Sequence, residues 1–119
     1  MTIRCVIVDD SERFRASARR LLTDQGIAVV ATAADIRQAL HAVEQEQPDV
    51  VLVDVGLGAE NGFDLAARIR HSPVIMTSSL APEDLTDMLE ESPAIGFLPK
   101  EQLSGDAITG LLRAMSGAC

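Results

Sequence analysis

Short apolar segments alternate with amphipathic segments along the whole chain, and this alternation limits the folds that the chain can adopt. Four segments are rich in β-branched residues and bounded by turn or charged residues, which is typical of buried strands: residues 3–8, 27–31, 50–53 and 74–76. A weaker fifth strand is predicted at residues 94–98, after the break at Ser92 and Pro93. Strands that are apolar at every position are typical of parallel sheets covered on both faces.

The segments that follow the strands carry apolar residues at the three- and four-residue spacing of amphipathic helices. These residues are Phe14, Ala18, Leu21 and Leu22; Ile36, Ala39, Leu40 and Val43; Phe63, Ala66, Ala67 and Ile69; Leu85, Met88 and Leu89; and Ala107, Ile108, Leu111, Leu112 and Met115. We expect Pro82 near the start of the fourth helix and Ser92 and Pro93 at its end. The order (βα)₅ predicts one α/β domain over residues 1–119, with helices on both faces of a parallel sheet.

Composition and charge exclude several classes of protein. An apolar content of 47% and a charged content of 24% are those of a soluble globular domain. No apolar run approaches the roughly 20 residues needed to cross a bilayer, and two acids interrupt the start of the chain, so we expect a cytoplasmic protein that does not contact the membrane. The net charge of −8 argues against direct nucleic acid binding by this domain. Cys5 lies within an apolar strand and is predicted to be buried and reduced, while Cys119 is the last residue.

Ligands of an open α/β sheet bind beyond the carboxyl ends of its strands. The ionisable or nucleophilic residues predicted there are Asp9 and Asp10 after the first strand, Asp54 after the third, Ser78 after the fourth and Lys100 after the fifth. Three carboxylates at one edge repel each other unless a proton or a cation lies between them. The sequence therefore predicts a site for a hard divalent cation.

Mg²⁺ fits this set of residues, because it binds one or two carboxylates together with waters and phosphate oxygens. Asp9 and Asp10 would hold the ion, while Asp54 would supply one oxygen and act as a nucleophile that forms an aspartyl phosphate. Lys100 as an ammonium and Ser78 as a hydroxyl donor are suited to meet the charge on the transferred oxygens.

Each of these residues also has an ordinary structural interpretation when it is taken alone. Asp10 could be only the cap of the first helix, and a serine or lysine at a strand end often has no function. The glycine-rich segment at residues 56–62 resembles a dinucleotide fingerprint, but its spacing is one place too long and it follows the third strand. His41 and His71 have no metal-ligand spacing and are predicted to be solvated helix residues. Five coincidences at one edge favour the functional interpretation.

Five stretches form a further pattern: VIVDD at residues 6–10, PDVVLVD at 48–54, NGF at 61–63, PVIMTSS at 73–79 and GFLPK at 96–100. In order and spacing, these stretches resemble the receiver domains of two-component response regulators. The resemblance covers the whole chain. It implies a flavodoxin-like doubly wound fold with the strand order 2-1-3-4-5.

The resemblance also implies a function: phosphorylation of Asp54 by the phosphohistidine of a partner histidine kinase. Asp9, Asp10, Asp54 and the backbone carbonyl of Gly56 would surround Mg²⁺, and Ser78 and Lys100 would contact the phosphoryl oxygens. Phe97 would then turn inward, which reshapes the surface of the fourth helix, fifth strand and fifth helix. Such a domain is not an enzyme beyond its own phosphoryl transfer and dephosphorylation.

The stretches at residues 10–15 and 97–101 are most similar to receivers that precede a helix-turn-helix domain. The implied recipient of the signal is an output domain that regulates transcription or a downstream protein, and a phosphorylation-dependent homodimer is a further possibility. Two rival interpretations are a pseudo-receiver that binds proteins without being phosphorylated, and a phosphatase or flavin protein of similar architecture. The complete set of acids, hydroxyl and lysine argues against the first, and the segment after the first strand lacks the motifs of the second.

Several positions depart from the family pattern. Pro99 precedes Lys100 and Glu101 follows it, whereas the family places proline after the lysine, so we expect a trans Lys100–Glu101 bond. Gly58 replaces a usual proline and is expected to loosen its loop. Gly56 and Leu80 occupy the positions that influence hydrolysis, and neither can orient water, which predicts a long-lived phosphorylated state.

One choice within the fourth strand depends on the family spacing. Of the two neighbouring hydroxyls, Ser78 is chosen because it lies five places after Pro73, as the family residue usually does. Thr77 is then expected to face the opposite side.

Overall fold

The structure is a computed structural model that describes residues 2–80, 83 and 85–116. Its strands are β1 (Arg4–Val8), β2 (Ala28–Ala33), β3 (Val50–Asp54), β4 (Gly56–Leu57), β5 (Glu60–Asn61), β6 (Val74–Ser78) and β7 (Gly96–Pro99). Five of them form a parallel sheet in the order β2-β1-β3-β6-β7. Since β6 and β7 are the fourth and fifth strands predicted from the sequence, the predicted order 2-1-3-4-5 is confirmed.

Within the described residues, five α-helices connect or follow the strands. They are α1 (Glu12–Asp24), α2 (Ile36–Glu46), α3 (Gly62–Arg68), α4 (Thr86–Glu91) and α5 (Gly105–Ser116). Short polar side chains determine where the first three begin, because Ser11, Asp35 and Asn61 each accept a backbone N–H of the first turn. The expected place of Pro82 near the fourth helix, and Cys119, lie outside the described residues.

The sheet separates two apolar clusters because successive strand residues point to opposite faces. Val6 and Val8 contribute to the cluster beneath α2 and α3, whereas Cys5 and Ile7 contribute to the cluster beneath α1 and α5. The helices therefore cover both faces, as the sequence predicts. The side chain of Cys5 is buried, which confirms its predicted place in the core, and burial raises the pKa of its thiol to about 12.

A small antiparallel hairpin follows β3 and was not predicted. Its strands β4 and β5 pair Gly56 with Asn61 and Leu57 with Glu60, which leaves a two-residue turn. The first turn residue, Gly58, has a φ of 65°, and a glycine with positive φ is what a tight hairpin turn requires at this position. Proline cannot adopt this φ. The loop expected to be loosened by Gly58 is thus a defined turn.

Among the residues that the structure describes, no helix has the length and apolar character needed to cross a membrane.

Candidate functional site

Three carboxylates meet at the carboxyl edge of the sheet. Asp9 follows β1 directly, Asp54 is the last residue of β3, and these two strands pair in parallel, so their ends lie side by side. One carboxylate oxygen each from Asp9, Asp10 and Asp54 lies within 4.8 Å of the others. Asp9 and Asp54 are buried, whereas Asp10 is exposed. The acids predicted from the strand ends are brought together.

Lys100 reaches this group of carboxylates from the end of the edge strand β7. It is the first residue of a 3₁₀ turn, Lys100–Gln102, that follows β7. Its Nζ lies 2.6 Å from Asp9 Oδ2 and 3.6 Å from Asp54 Oδ1. The Lys100–Glu101 peptide bond is trans, as expected, since the described residues contain no cis bond. The predicted lysine thus belongs to the same site as the acids.

The electrostatic environment of Asp54 differs from that of an ordinary carboxylate. Burial raises its pKa from 3.8 to about 6, the negative charges of Asp9 and Asp10 add to the rise, and the nearby Lys100 ammonium opposes it. The carboxylate is therefore more basic than a surface aspartate. A bound cation would remove the repulsion that contributes to this rise.

The loop between β1 and α1 fixes the backbone around Asp9. Its Oδ1 accepts the Ser11 N–H at 2.8 Å, and its backbone carbonyl accepts a hydrogen bond from Arg15 Nη1 at 2.7 Å. The cap of α1 is Ser11, whose hydroxyl accepts the Phe14 N–H, and this excludes the alternative in which Asp10 is the N-cap. Asp10 is left with its carboxylate beside those of Asp9 and Asp54.

Asp9 Oδ2 is buried and accepts no hydrogen bond of regular geometry from the described residues. The cation that lies close to it is the Lys100 ammonium, at 2.6 Å, while the carboxylates of Asp10 and Asp54 bring further negative charge to the site. A buried carboxylate oxygen normally needs a hydrogen bond or a cation. This oxygen, together with two further carboxylates, fits a hard divalent cation that binds oxygen ligands.

Gly62 is a site residue that the chemistry of side chains does not reveal. A Cβ at this position would overlap the backbone carbonyl oxygen of Asp54, so only glycine fits there. Its N–H also donates to the carbonyl of Val55 at 2.8 Å. The start of α3 is in this way packed directly against the backbone of Asp54. In the sequence, Gly62 belongs to the family pattern and to the glycine-rich segment at residues 56–62, and neither indicates this packing against Asp54.

Three predicted residues stay predictions. The hydroxyl of Ser78 is buried and accepts the Leu80 N–H at 2.9 Å, while the sheet register pairs Asp54 with Thr77. Phe97 lies in β7, partly buried against the cluster beneath α2 and α3. Gly56 begins β4 and is exposed, and its carbonyl remains a predicted metal ligand.

Comparison with known protein families matches one family over most of the chain. The model of the response regulator receiver domain matches residues 5–111. Among solved structures, the receiver domain of the putative response regulator NarL from Mycobacterium tuberculosis superposes with a TM-score of 0.82 at 27% identity, covering 94% of this chain and 97% of that one.

Curated relatives are longer than this chain. A protein-glutamate methylesterase/protein-glutamine glutaminase from Haloarcula marismortui is 37% identical over 103 residues, which are 82% of this chain and 28% of the relative. The transcriptional regulatory protein PdtaR from Mycobacterium tuberculosis is 27% identical over 116 residues, 95% of this chain and 57% of the relative. The chain therefore spans about a quarter to somewhat over half the length of these two relatives.

Proposed function

Since the chain belongs to the family of response regulator receiver domains, we propose that its Asp54 carboxylate accepts a phosphoryl group from the phosphohistidine of a partner histidine kinase. The observation that carries this proposal is the buried carboxylate of Asp54, which lies beside two further acids and 3.6 Å from the Lys100 ammonium. Residues 1–119 would act as one receiver domain in the cytoplasm.

Asp9, Asp10 and Asp54 would hold the Mg²⁺ that the family implies, with the backbone carbonyl of Gly56 as a further ligand. The clustering of these three carboxylates supports this assignment, because a divalent cation would offset their mutual repulsion. When bound, Mg²⁺ would supply positive charge that stabilises the oxygens of the phosphoryl group during transfer. All the ligands are oxygen atoms, which suits this ion.

In the transfer step, one oxygen of the Asp54 carboxylate attacks phosphorus. A new O–P bond forms as the bond between phosphorus and the kinase histidine breaks, and the leaving nitrogen keeps the electron pair. The raised pKa of Asp54, about 6, leaves its carboxylate ionised at neutral pH and more basic than a surface carboxylate. Lys100 would turn from the carboxylates toward the phosphoryl oxygens and offset their charge.

Ser78 would donate a hydrogen bond to a phosphoryl oxygen. In the structure, its hydroxyl accepts the Leu80 N–H, and a hydroxyl that accepts one hydrogen bond still carries a proton to donate. Movement of Ser78 toward the phosphoryl group would leave space into which Phe97 turns. The surface formed by α4, β7 and α5 has two packings, and their relative populations would then shift. This shift would alter the binding of an output domain, a downstream protein or a second copy of the chain.

Regulation of transcription is the output we propose. The DNA would be bound by an output domain or another protein, because the net charge of −8 disfavours DNA binding by this domain itself. The name of the relative PdtaR and the similarity to the NarL receiver support this direction. Gly56 and Leu80 offer no polar group to orient an attacking water, so the phosphorylated state would persist.

Mass spectrometry after exposure to acetyl phosphate tests the proposal. The wild-type protein should gain one phosphoryl group when Mg²⁺ is present and far less when it is chelated. Asp54→Ala should gain none, whereas the control variant Asp24→Ala, which changes an exposed acid at the end of α1, should behave like wild type. An adduct that persists in Asp54→Ala would place the modification elsewhere.

A further inference from the structure

Resting on the proposed function, we propose that Phe14 is a positioning residue whose ring holds the Lys100 ammonium where it can serve Asp54. The ammonium lies 4.4 Å from the centre of the Phe14 ring, which is within the range of a cation–π interaction. The effect of Phe14 would come through Lys100 alone.

The ring is placed by the same loop that places Asp9. Ser11 donates its N–H to Asp9 Oδ1 at 2.8 Å and accepts the Phe14 N–H on its hydroxyl at 3.2 Å. Two hydrogen bonds therefore connect the carboxylate to the residue that carries the ring. Phe14 is partly buried against the cluster beneath α1 and α5, which limits the orientations open to the ring.

Lys100 needs such support because of where it starts. Lys100 follows β7. In the sheet, β6 lies between β7 and β3, and both β6 and β3 lie between β7 and β1, so the side chain has to reach across the end of the sheet. A lysine side chain is flexible, and ordering it costs free energy that the ion pairs must offset. A ring face beside the ammonium lowers this cost without being a further anion.

The ring also allows the ammonium to move between the carboxylate oxygens of Asp9 and Asp54. In the structure, Nζ lies closer to Asp9 Oδ2, at 2.6 Å, than to Asp54 Oδ1, at 3.6 Å. Phosphorylation adds charge on Asp54 and favours movement of Nζ in that direction. The attraction of a ring face changes gradually over such a distance, whereas a hydrogen bond would have to break.

The test compares variants that keep or remove the ring. We expect Phe14→Leu to slow phosphorylation by acetyl phosphate about 3- to 10-fold, from the usual strength of a partly buried cation–π pair. Phe14→Tyr, which keeps the aromatic face, should stay within about twofold of wild type. Pentafluorophenylalanine at position 14 keeps the ring shape but reverses its charge distribution, so it should behave like Phe14→Leu even if leucine itself disturbs the fold.

A double-mutant cycle separates positioning from packing. In a Lys100→Met background, Phe14→Leu should have no further effect on the phosphorylation rate. The four proteins of the cycle are the wild type, Phe14→Leu, Lys100→Met and the double variant. Urea unfolding in Mg²⁺-free buffer measures the unfolding equilibrium constant of each. We expect the effect of the double variant on this constant to differ from the product of the two single effects by about 3- to 10-fold. Independent, additive effects in both measurements would overturn the inference.

Failure of this inference is distinguishable from failure of the proposed function. If wild-type protein gains no phosphoryl group on Asp54, the proposed function is wrong. If wild type is phosphorylated and the pentafluorophenylalanine protein reacts at the same rate, the role assigned to Phe14 is wrong while the proposed function stands.

Discussion

At the scale of single residues, the main physical fact is that Asp54 is held in a place that disfavours its charge. Burial and the two neighbouring acids raise its pKa to about 6, against 3.8 for an ordinary aspartate. The folded protein therefore binds the Asp54 proton more tightly than the unfolded chain does. In the absence of a cation, the contribution of Asp54 to the stability of the protein therefore falls as the pH rises from about 4 to about 6, and this cost stays in place above pH 6.

We predict that Asp54→Asn stabilises the protein in Mg²⁺-free buffer at pH 7.5. The difference between pKa values corresponds to about 3 kcal/mol, and partial access of solvent reduces it, so we expect a gain of roughly 1 to 3 kcal/mol in the free energy of unfolding. The gain should vanish below about pH 4, where the Asp54 carboxyl is protonated in both the folded and the unfolded state. Urea unfolding across pH measures it, with Asp24→Asn as the control. A gain that persists at pH 3.5 would contradict the electrostatic origin.

The choice between the two hydroxyls on β6 leads to a second prediction. Ser78→Ala should still be phosphorylated, but the NMR shift change of the Phe97 ring on phosphorylation should shrink, because a hydrogen bond to a charged group worth about 1.5 to 3 kcal/mol is lost. Thr77→Val changes the residue paired with Asp54 in the sheet and should leave the Phe97 response intact. The reverse pattern would assign the role to Thr77.

Residues that act through reactive groups could be predicted from the sequence, and residues that act through shape could not. Asp9, Asp54 and Lys100 follow strands, so strand prediction placed them at one edge. Phe14 reads only as a core residue of α1, because its contact with Lys100 depends on how the loop after β7 bends. Gly62 has no side chain, and its need to be glycine becomes visible only when the Asp54 carbonyl is located.

At the scale of elements, the junction between β3 and α3 gives the tightest constraint. The helix begins at Gly62 because Asn61 caps it, and this start lies against the backbone of Asp54. The hairpin lies between the two, so the chain returns to the backbone of Asp54 at Gly62, eight residues further along. Any side chain at Gly62 must push the helix or β3 away.

We predict that Gly62→Ala lowers the free energy of unfolding by about 2 to 4 kcal/mol, because the added methyl group meets a backbone carbonyl that cannot rotate away. Phosphorylation should slow as well, since Asp54 moves. Gly110→Ala is the matched control: it lies within α5 with open space at its Cβ, and it should stabilise by about 0.5 to 1 kcal/mol. Similar stability changes for the two variants would rule out the overlap.

Among the described residues, the five strands of the parallel sheet and the five helices could be predicted, because the strands are short apolar runs and the helices carry apolar residues at three- and four-residue spacing. The ends were less accurate: β2 continues to Ala33 and β6 to Ser78, since hydrogen bonds to neighbouring strands extend them beyond the apolar run. The strands β4 and β5 have two residues each, too few for any period to be recognised. Their turn is specified by Gly58, whose φ is set by the fold.

At the scale of the whole molecule, the site joins three separated parts of the chain. Asp9 and Asp10 come from the first ten residues, Asp54 from the middle and Lys100 from the last fifth. A cation bound to the acids would be lost on unfolding, because the unfolded chain does not hold them together. Metal binding should therefore appear as added stability of the entire domain.

We predict that Mg²⁺ raises the free energy of unfolding of the wild-type protein in proportion to the logarithm of its concentration, reaching about 2.7 kcal/mol at one hundred times Kd. Asp9→Asn should lose most of this increase, whereas Asp106→Asn, in the first turn of α5, should keep it. Thermal unfolding at several Mg²⁺ concentrations measures the effect. An equal response of both variants would show that the acidic edge does not hold the ion.

Cys5 offers a way to follow the opening of the native state. It lies in β1, between β2 and β3, with no exposed surface and a thiol whose pKa is about 12. A thiol reagent can reach it only when the sheet separates from α1 and α5, so in a Cys119→Ser background its labelling rate should report the frequency of global opening events. We expect this rate to fall when Mg²⁺ is added and to rise in Gly62→Ala. The labelling rate of the buried cysteine thus measures how often the native state opens globally.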